Sequence, residues 1–156
     1  MFKKYFWFLL FVLLMQQACA ETPNTNIREI SRAYADGESV LVVVFDEKTA
    51  AKNSEAYADW SAYLNDFIPE AKTKFKVIKL LPAELTLLID NASGLKAPYT
   101  TLFLNKQHGN FYYPGPVLEP GVYLYVDTLY QQKEISEELA LYKPEKLTTP
   151  LKLPVK

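Results

Sequence analysis

The chain has 156 residues, a formal net charge of −1, one cysteine and one histidine. That length suits one compact domain with its own core, and the near-neutral charge lacks the surplus of Lys and Arg that nucleic-acid binding requires. A lone thiol excludes redox pairs and thiolate zinc sites, and a lone imidazole would need several carboxylates to complete a metal site.

Met1 to Ala20 opens on Lys3 and Lys4, runs through an apolar stretch from Phe6 to Met15, and closes on Ala18-Cys19-Ala20. This is the pattern of a secretory signal peptide. Cleavage after Ala20 leaves 136 residues starting at Glu21; with Lys3 and Lys4 gone, the net charge falls from −1 to −3. The product is then periplasmic or secreted. A second reading makes Cys19 the lipidation site of a membrane-anchored lipoprotein; Ala18 before it fits, whereas Gln16 stands where such signals usually carry Leu. Under either reading Cys19 supplies no thiol to the folded domain. The expected division is a signal at 1–20, a domain at 21–142 and a tail at 143–156.

In chain order, Ile27, Ile30 and Tyr34 recur at helical spacing and Asp36-Gly37 ends that helix. Ser39 to Phe45 holds an unbroken apolar run, the mark of a central strand covered on both faces. A helix is expected from Ser54 to Phe67, with Tyr57, Trp60, Tyr63, Leu64 and Phe67 on one face, capped by Asn53 or Ser54 and stopped by Pro69. Phe75 to Leu81 reads as a second strand, and Pro82 as the first residue of a helix reaching about Asp90. Thr100 to Leu104 is a third strand and Asn105 to Asn110 a turn. Phe111 to Tyr113 is a fourth strand, cut by Pro114-Gly115-Pro116, and so lies at an edge or ends there. Glu119-Pro120 opens a last long helix, in which Tyr123 and Tyr130 fall on a different side from Val122, Tyr125, Val126 and Leu129. The tail, with three prolines and four lysines, reads as extended or disordered. Alternating helices and strands imply parallel pairing through right-handed crossovers, and the short last connection implies an antiparallel hairpin. The fold class is α/β, one mixed sheet with helices on both faces.

This order resembles the thioredoxin-like superfamily. Val40 to Phe45 looks like its central strand. Lys96-Ala97-Pro98-Tyr99-Thr100-Thr101-Leu102-Phe103-Leu104, ending at Gly109, looks like its proline loop, strand and hairpin glycine. The resemblance spans about Ile27 to Gln132 and implies a cis Ala97–Pro98 bond facing the loop after the first strand. The family's Cys-x-x-Cys positions fall near Ala50 and Asn53, and Tyr99 stands where the family usually has Thr. The chain is thus similar to a degenerate member without the redox pair, of the kind used for binding or assembly.

Asp46 and Glu47 follow the first strand, where open α/β sheets place ligands. As an acid–base pair they would give a non-redox enzyme; as caps of the next helix or solvated carboxylates they would not. Tyr99, Tyr112 and Tyr113, with Pro98, are candidate anchors for a protein or peptide partner from the cell envelope, since tyrosines bury much area with little rotamer loss. Tyr123, Tyr125 and Tyr130 either join them or pack. His108, in the turn Lys106 to Asn110, reads as a solvated hairpin residue. No glycine spacing cradles phosphate, so no cofactor is implied. Asn91-Ala92-Ser93 matches a glycosylation sequon.

Overall fold

A computed structural model describes residues 24–52, 54–90, 95 and 99–154. The signal-peptide and lipidation readings at 1–20, Asn53, the Asn91 sequon and the Ala97–Pro98 bond lie outside those residues.

Helix α1, Thr25–Ala35, starts at Asn24, whose side chain accepts from the N–H groups of Asn26 and Ile27. It ends as the Asp36-Gly37 pair predicts: Gly37 takes a φ of +81°, and the N–H groups of Gly37 and Glu38 reach back to Tyr34 and Ala33. That left-handed cap suits glycine, which has no Cβ to clash. Strand β1, Val40–Val44, is buried along its whole length, as an unbroken apolar run demands.

The second helix begins at Ser54, whose hydroxyl accepts from the Tyr57 N–H. It comprises α2, Glu55–Ala62, a π turn, Tyr63–Phe67, and α3, Ile68–Ala71. Pro69 therefore does not stop the helix at Phe67. A proline in an α-helix collides with the carbonyl four residues back and lacks a donor. Widening the preceding turn, so that the Ile68 N–H bonds to the Tyr63 carbonyl, relieves this and carries the helix past it.

Strand β2, Lys76–Leu80, is followed by α4, Pro82–Leu88. Here Pro82 holds the first turn and the Glu84 carboxylate accepts from the Leu81 N–H at 2.7 Å. Strands β3, Thr100–Leu104, and β4, Phe111–Pro114, form the expected hairpin, with Gly109 at φ +92°. Helix α5, Pro120–Tyr130, and the short α6, Glu137–Ala140, follow, and β5, Glu145–Lys146, lies in the tail.

The five strands form one mixed sheet in the order β2-β1-β3-β4-β5. β1 and β2 are parallel, and β1–β3, β3–β4 and β4–β5 are antiparallel. Each face carries its own core. Val40, Val42 and Val44 face α1 and α4 with Ile30, Leu85 and Leu88. Leu41 and Val43 face α2, α3 and α5 with Trp60, Tyr63, Phe103 and Val126. Helices on both faces were expected, and are found.

Two expectations need correcting. The tail is extended but not loose: β5 pairs with Phe111 and Tyr112, the Leu147 N–H bonds to the Asn110 carbonyl, and Leu151 bridges to Ile89. β4 is therefore an edge only over Tyr113 and Pro114. The two stripes of α5 are also both interior. Tyr123, Tyr125 and Tyr130 are all buried: Tyr123 meets Phe75 and Phe103, Tyr130 meets Phe75 and Phe111, and Ile135 and Leu139 pack on the same core, whereas Leu124 is exposed.

Candidate functional site

The carboxyl ends of β1 and β2, the start of β3 and the end of β4 meet at one end of the sheet. Four of the sequence candidates, Asp46, Glu47, Tyr99 and Tyr113, lie there. Tyr112 does not. Successive strand residues point to opposite faces, so Tyr113 joins the face covered by α2 and α5 while Tyr112 packs against the other core. The Tyr112 hydroxyl donates to Glu145, and this bond to a carboxylate, with burial, raises its pKa. Tyr112 thus anchors the tail.

The floor of the strand-end face is aromatic. Phe45 stacks on Trp60 with ring centroids 4.6 Å apart and planes 8° from parallel. Tyr99 meets Phe45 edge-on at 5.5 Å, and Tyr63 meets Trp60 edge-on at 5.5 Å. Such contacts contribute about 0.5–1.5 kcal/mol each beyond burial. Trp60 and Tyr63 are buried, while Phe45, Tyr99 and Tyr113 remain half-exposed. Tyr113 opposes Thr101 across the β3–β4 ladder, so Tyr99 is its diagonal neighbour on the same face. Burial, with the Glu119 charge, raises the Tyr113 pKa.

Beneath this floor Tyr63 Oη lies 3.1 Å from Thr101 Oγ1, which donates to the Gly115 carbonyl at 3.0 Å. Thr101 has spent its hydrogen, so Tyr63 is the donor to it. Burial pushes the Tyr63 phenol up to about 12. The Tyr123 hydroxyl lies near that of Tyr63 without a hydrogen bond of its own, and burial raises its pKa further.

The two carboxylates have separate tasks. Asp46 accepts from the Lys48 N–H at 2.9 Å and from the Thr49 hydroxyl at 3.0 Å, closing its own turn. Glu47 turns the other way and accepts from the Tyr57 hydroxyl at 3.4 Å. There it borders a cavity of about 130 Å³ lined by Phe45, Glu47, Tyr57, Ser61, Leu64, Asn65 and Lys79. A larger cavity, about 240 Å³, lies between α3 and the first turns of α5, lined by Phe67, Glu70, Lys74, Gly121 and Leu124 among others. Tyr123 also lines it, whereas Asp46, Glu47, Tyr99, Tyr112 and Tyr113 do not. His108 sits in the β3–β4 turn, its N–H bonded to Asn105 and its ring near Tyr130, as a hairpin residue should.

Among the described residues no three His, Cys, Asp or Glu side chains converge as a metal site, and no helix is long and apolar enough to cross a membrane. Compared with protein-family models, curated proteins and solved structures, the chain matches none of them.

Sequence reasoning singles out Glu47, Tyr99 and Tyr113 but not Phe45, Trp60, Asn65 and Lys79, which lie beside them. Phe45 and Trp60 read as plain core positions. Lys79 reads as surface on a strand, and only the β1–β2 pairing, which sets Val44 beside Leu80, carries it to Glu47.

Proposed function

We propose that the mature chain is an exported, non-catalytic domain of the thioredoxin-like kind, which docks a protein or peptide of the cell envelope on its strand-end face. The observation that carries this reading is the pairing of sheet order with surface chemistry. The order is β2-β1-β3-β4, with β1 and β2 parallel and β3–β4 an antiparallel hairpin, which agrees with the mixed sheet expected from the sequence. In it, the end of β1 where the family would hold its cysteines carries Phe45, Trp60 and Tyr99. Half-exposed tyrosines set on a packed aromatic floor lose little freedom on binding and suit a protein interface. The export pattern at the N-terminus supplies the compartment.

The test is recovery of a partner from envelope extracts with the full chain as bait. A protein retained by the parent and by Leu87→Ala, but lost with Tyr99→Ala and with Tyr113→Ala, supports the proposal. Equal recovery by all four baits, or reduction of a disulfide substrate by the purified chain, contradicts it.

A further inference from the structure

We propose that the cavity beyond the carboxyl ends of β1 and β2 binds a small zwitterion of the α-amino-acid class, its ammonium toward Glu47 and its carboxylate toward Lys79. Both residues line this one space of about 130 Å³. Yet they form no ion pair with each other, and Lys79 has none with any described residue. Glu47 is instead held by the Tyr57 hydroxyl, and Lys79 is fixed on the edge strand of the sheet. Two residues of opposite charge thus line one space without an ion pair between them. A ligand that carries both complementary charges a few bonds apart satisfies each of them at once.

The rest of the lining fits the same ligand. Asn65 donates to Ser61 Oγ at 3.3 Å, and its amide oxygen is an acceptor that an ammonium can use. Phe45 and Leu64 provide an apolar wall for a Cα and a short side chain. A space of about 130 Å³ is small, which suits a ligand of the size of a free amino acid. Its place is the crevice outside the ends of parallel strands, where open α/β sheets take ligands. Leu64 and Asn65 also come from the π turn, a helix irregularity frequent at functional sites. This inference goes beyond the docking of a protein partner and does not need it, because its residues are not Tyr99 or Tyr113.

The experiment is an NMR titration of the ¹⁵N-labelled full chain with L-alanine. The expected result is saturable movement of the Glu47, Asn65 and Lys79 amide signals, with a dissociation constant of millimolar order. Glu47→Gln and Lys79→Gln, both at exposed positions that leave the core intact, should each weaken binding by about fivefold. The exchange Glu47→Lys with Lys79→Glu should restore it, because the zwitterion can reverse. Absence of saturable movement overturns the proposal, as does unchanged binding by both single variants. An equal response to N-acetylalanine amide, which carries neither charge, also overturns it. So does an equal response to acetate or methylammonium alone, which would make the cavity a single-ion site. Preference for alanylalanine over alanine would overturn the size argument and assign the cavity to peptide ends.

Discussion

Tyr63 shows how one buried phenol links the strand-end face to stability. Its pKa is pushed up to about 12 by burial, whereas the unfolded phenol ionises near 10. Below about pH 10 both states hold the proton and the full contribution is present. Between about 10 and 12 the unfolded state releases the proton while the folded state keeps it, so stability falls as pH rises. The size is about 2 to 3 kcal/mol by the time the folded group also ionises. Tyr63→Phe should cost about 1 kcal/mol at pH 7 through the lost bond to Thr101, and should flatten this alkaline decline. Urea unfolding of both proteins at pH 7, 9 and 11 measures it; parallel pH dependences would show that Tyr63 does not carry the effect. Trp60 is the second such residue. It is buried beneath Phe45 and touches Tyr99 and Tyr63, so Trp60→Ala should cost about 3–5 kcal/mol. The fluorescence of the remaining tyrosines should change with it.

Among the elements, the tail is where sequence and structure part most. Composition alone made 143–156 extended or disordered, because three prolines and four lysines bury little by themselves. What holds it is non-local: β5 on β4, Leu147 in the core, Lys152 N–H on the Leu88 carbonyl, and the Tyr112 hydroxyl on Glu145. None of these contacts lies within reach of a sequence window. A chain ending at Tyr142 should therefore lose about 3 kcal/mol or more, as Leu147 and the ladder bonds go and Tyr112 is uncovered. If its urea midpoint matches that of the full chain, the domain ends where the sequence first suggested. The π turn was hidden for a different reason. Pro69 reads as a stop by local rule, and only the burial of Tyr63, Ile68 and Ala71 on one core explains why the helix widens and continues. By contrast the Asp36-Gly37 cap, Pro82 and the Gly109 turn were legible, since each rests on backbone geometry that one or two residues dictate. At the free edge of the sheet, Lys76 and Lys79 discourage pairing with a second sheet.

For the whole molecule, the α/β class and a mixed sheet covered on both faces could be read from the unbroken apolar run of β1 and the alternation of elements. Half of the candidate site could be read as well, because position after β1 pointed to Asp46 and Glu47. Pairing register supplied the rest, bringing Lys79 to Glu47 and setting Tyr99 and Tyr113, but not Tyr112, on one face. A sheet of this order with aromatic side chains at the end of β1 is suited to holding a partner. The proposed docking face is the half-exposed aromatic end of the sheet. Photo-crosslinking in intact cells tests it most directly, with a benzophenone side chain placed at position 99 and, as a control, at the exposed position 87 on α4. A discrete adduct to one envelope protein from position 99, absent from position 87, is the predicted result. No adduct from position 99, or the same adducts from both positions, would contradict it.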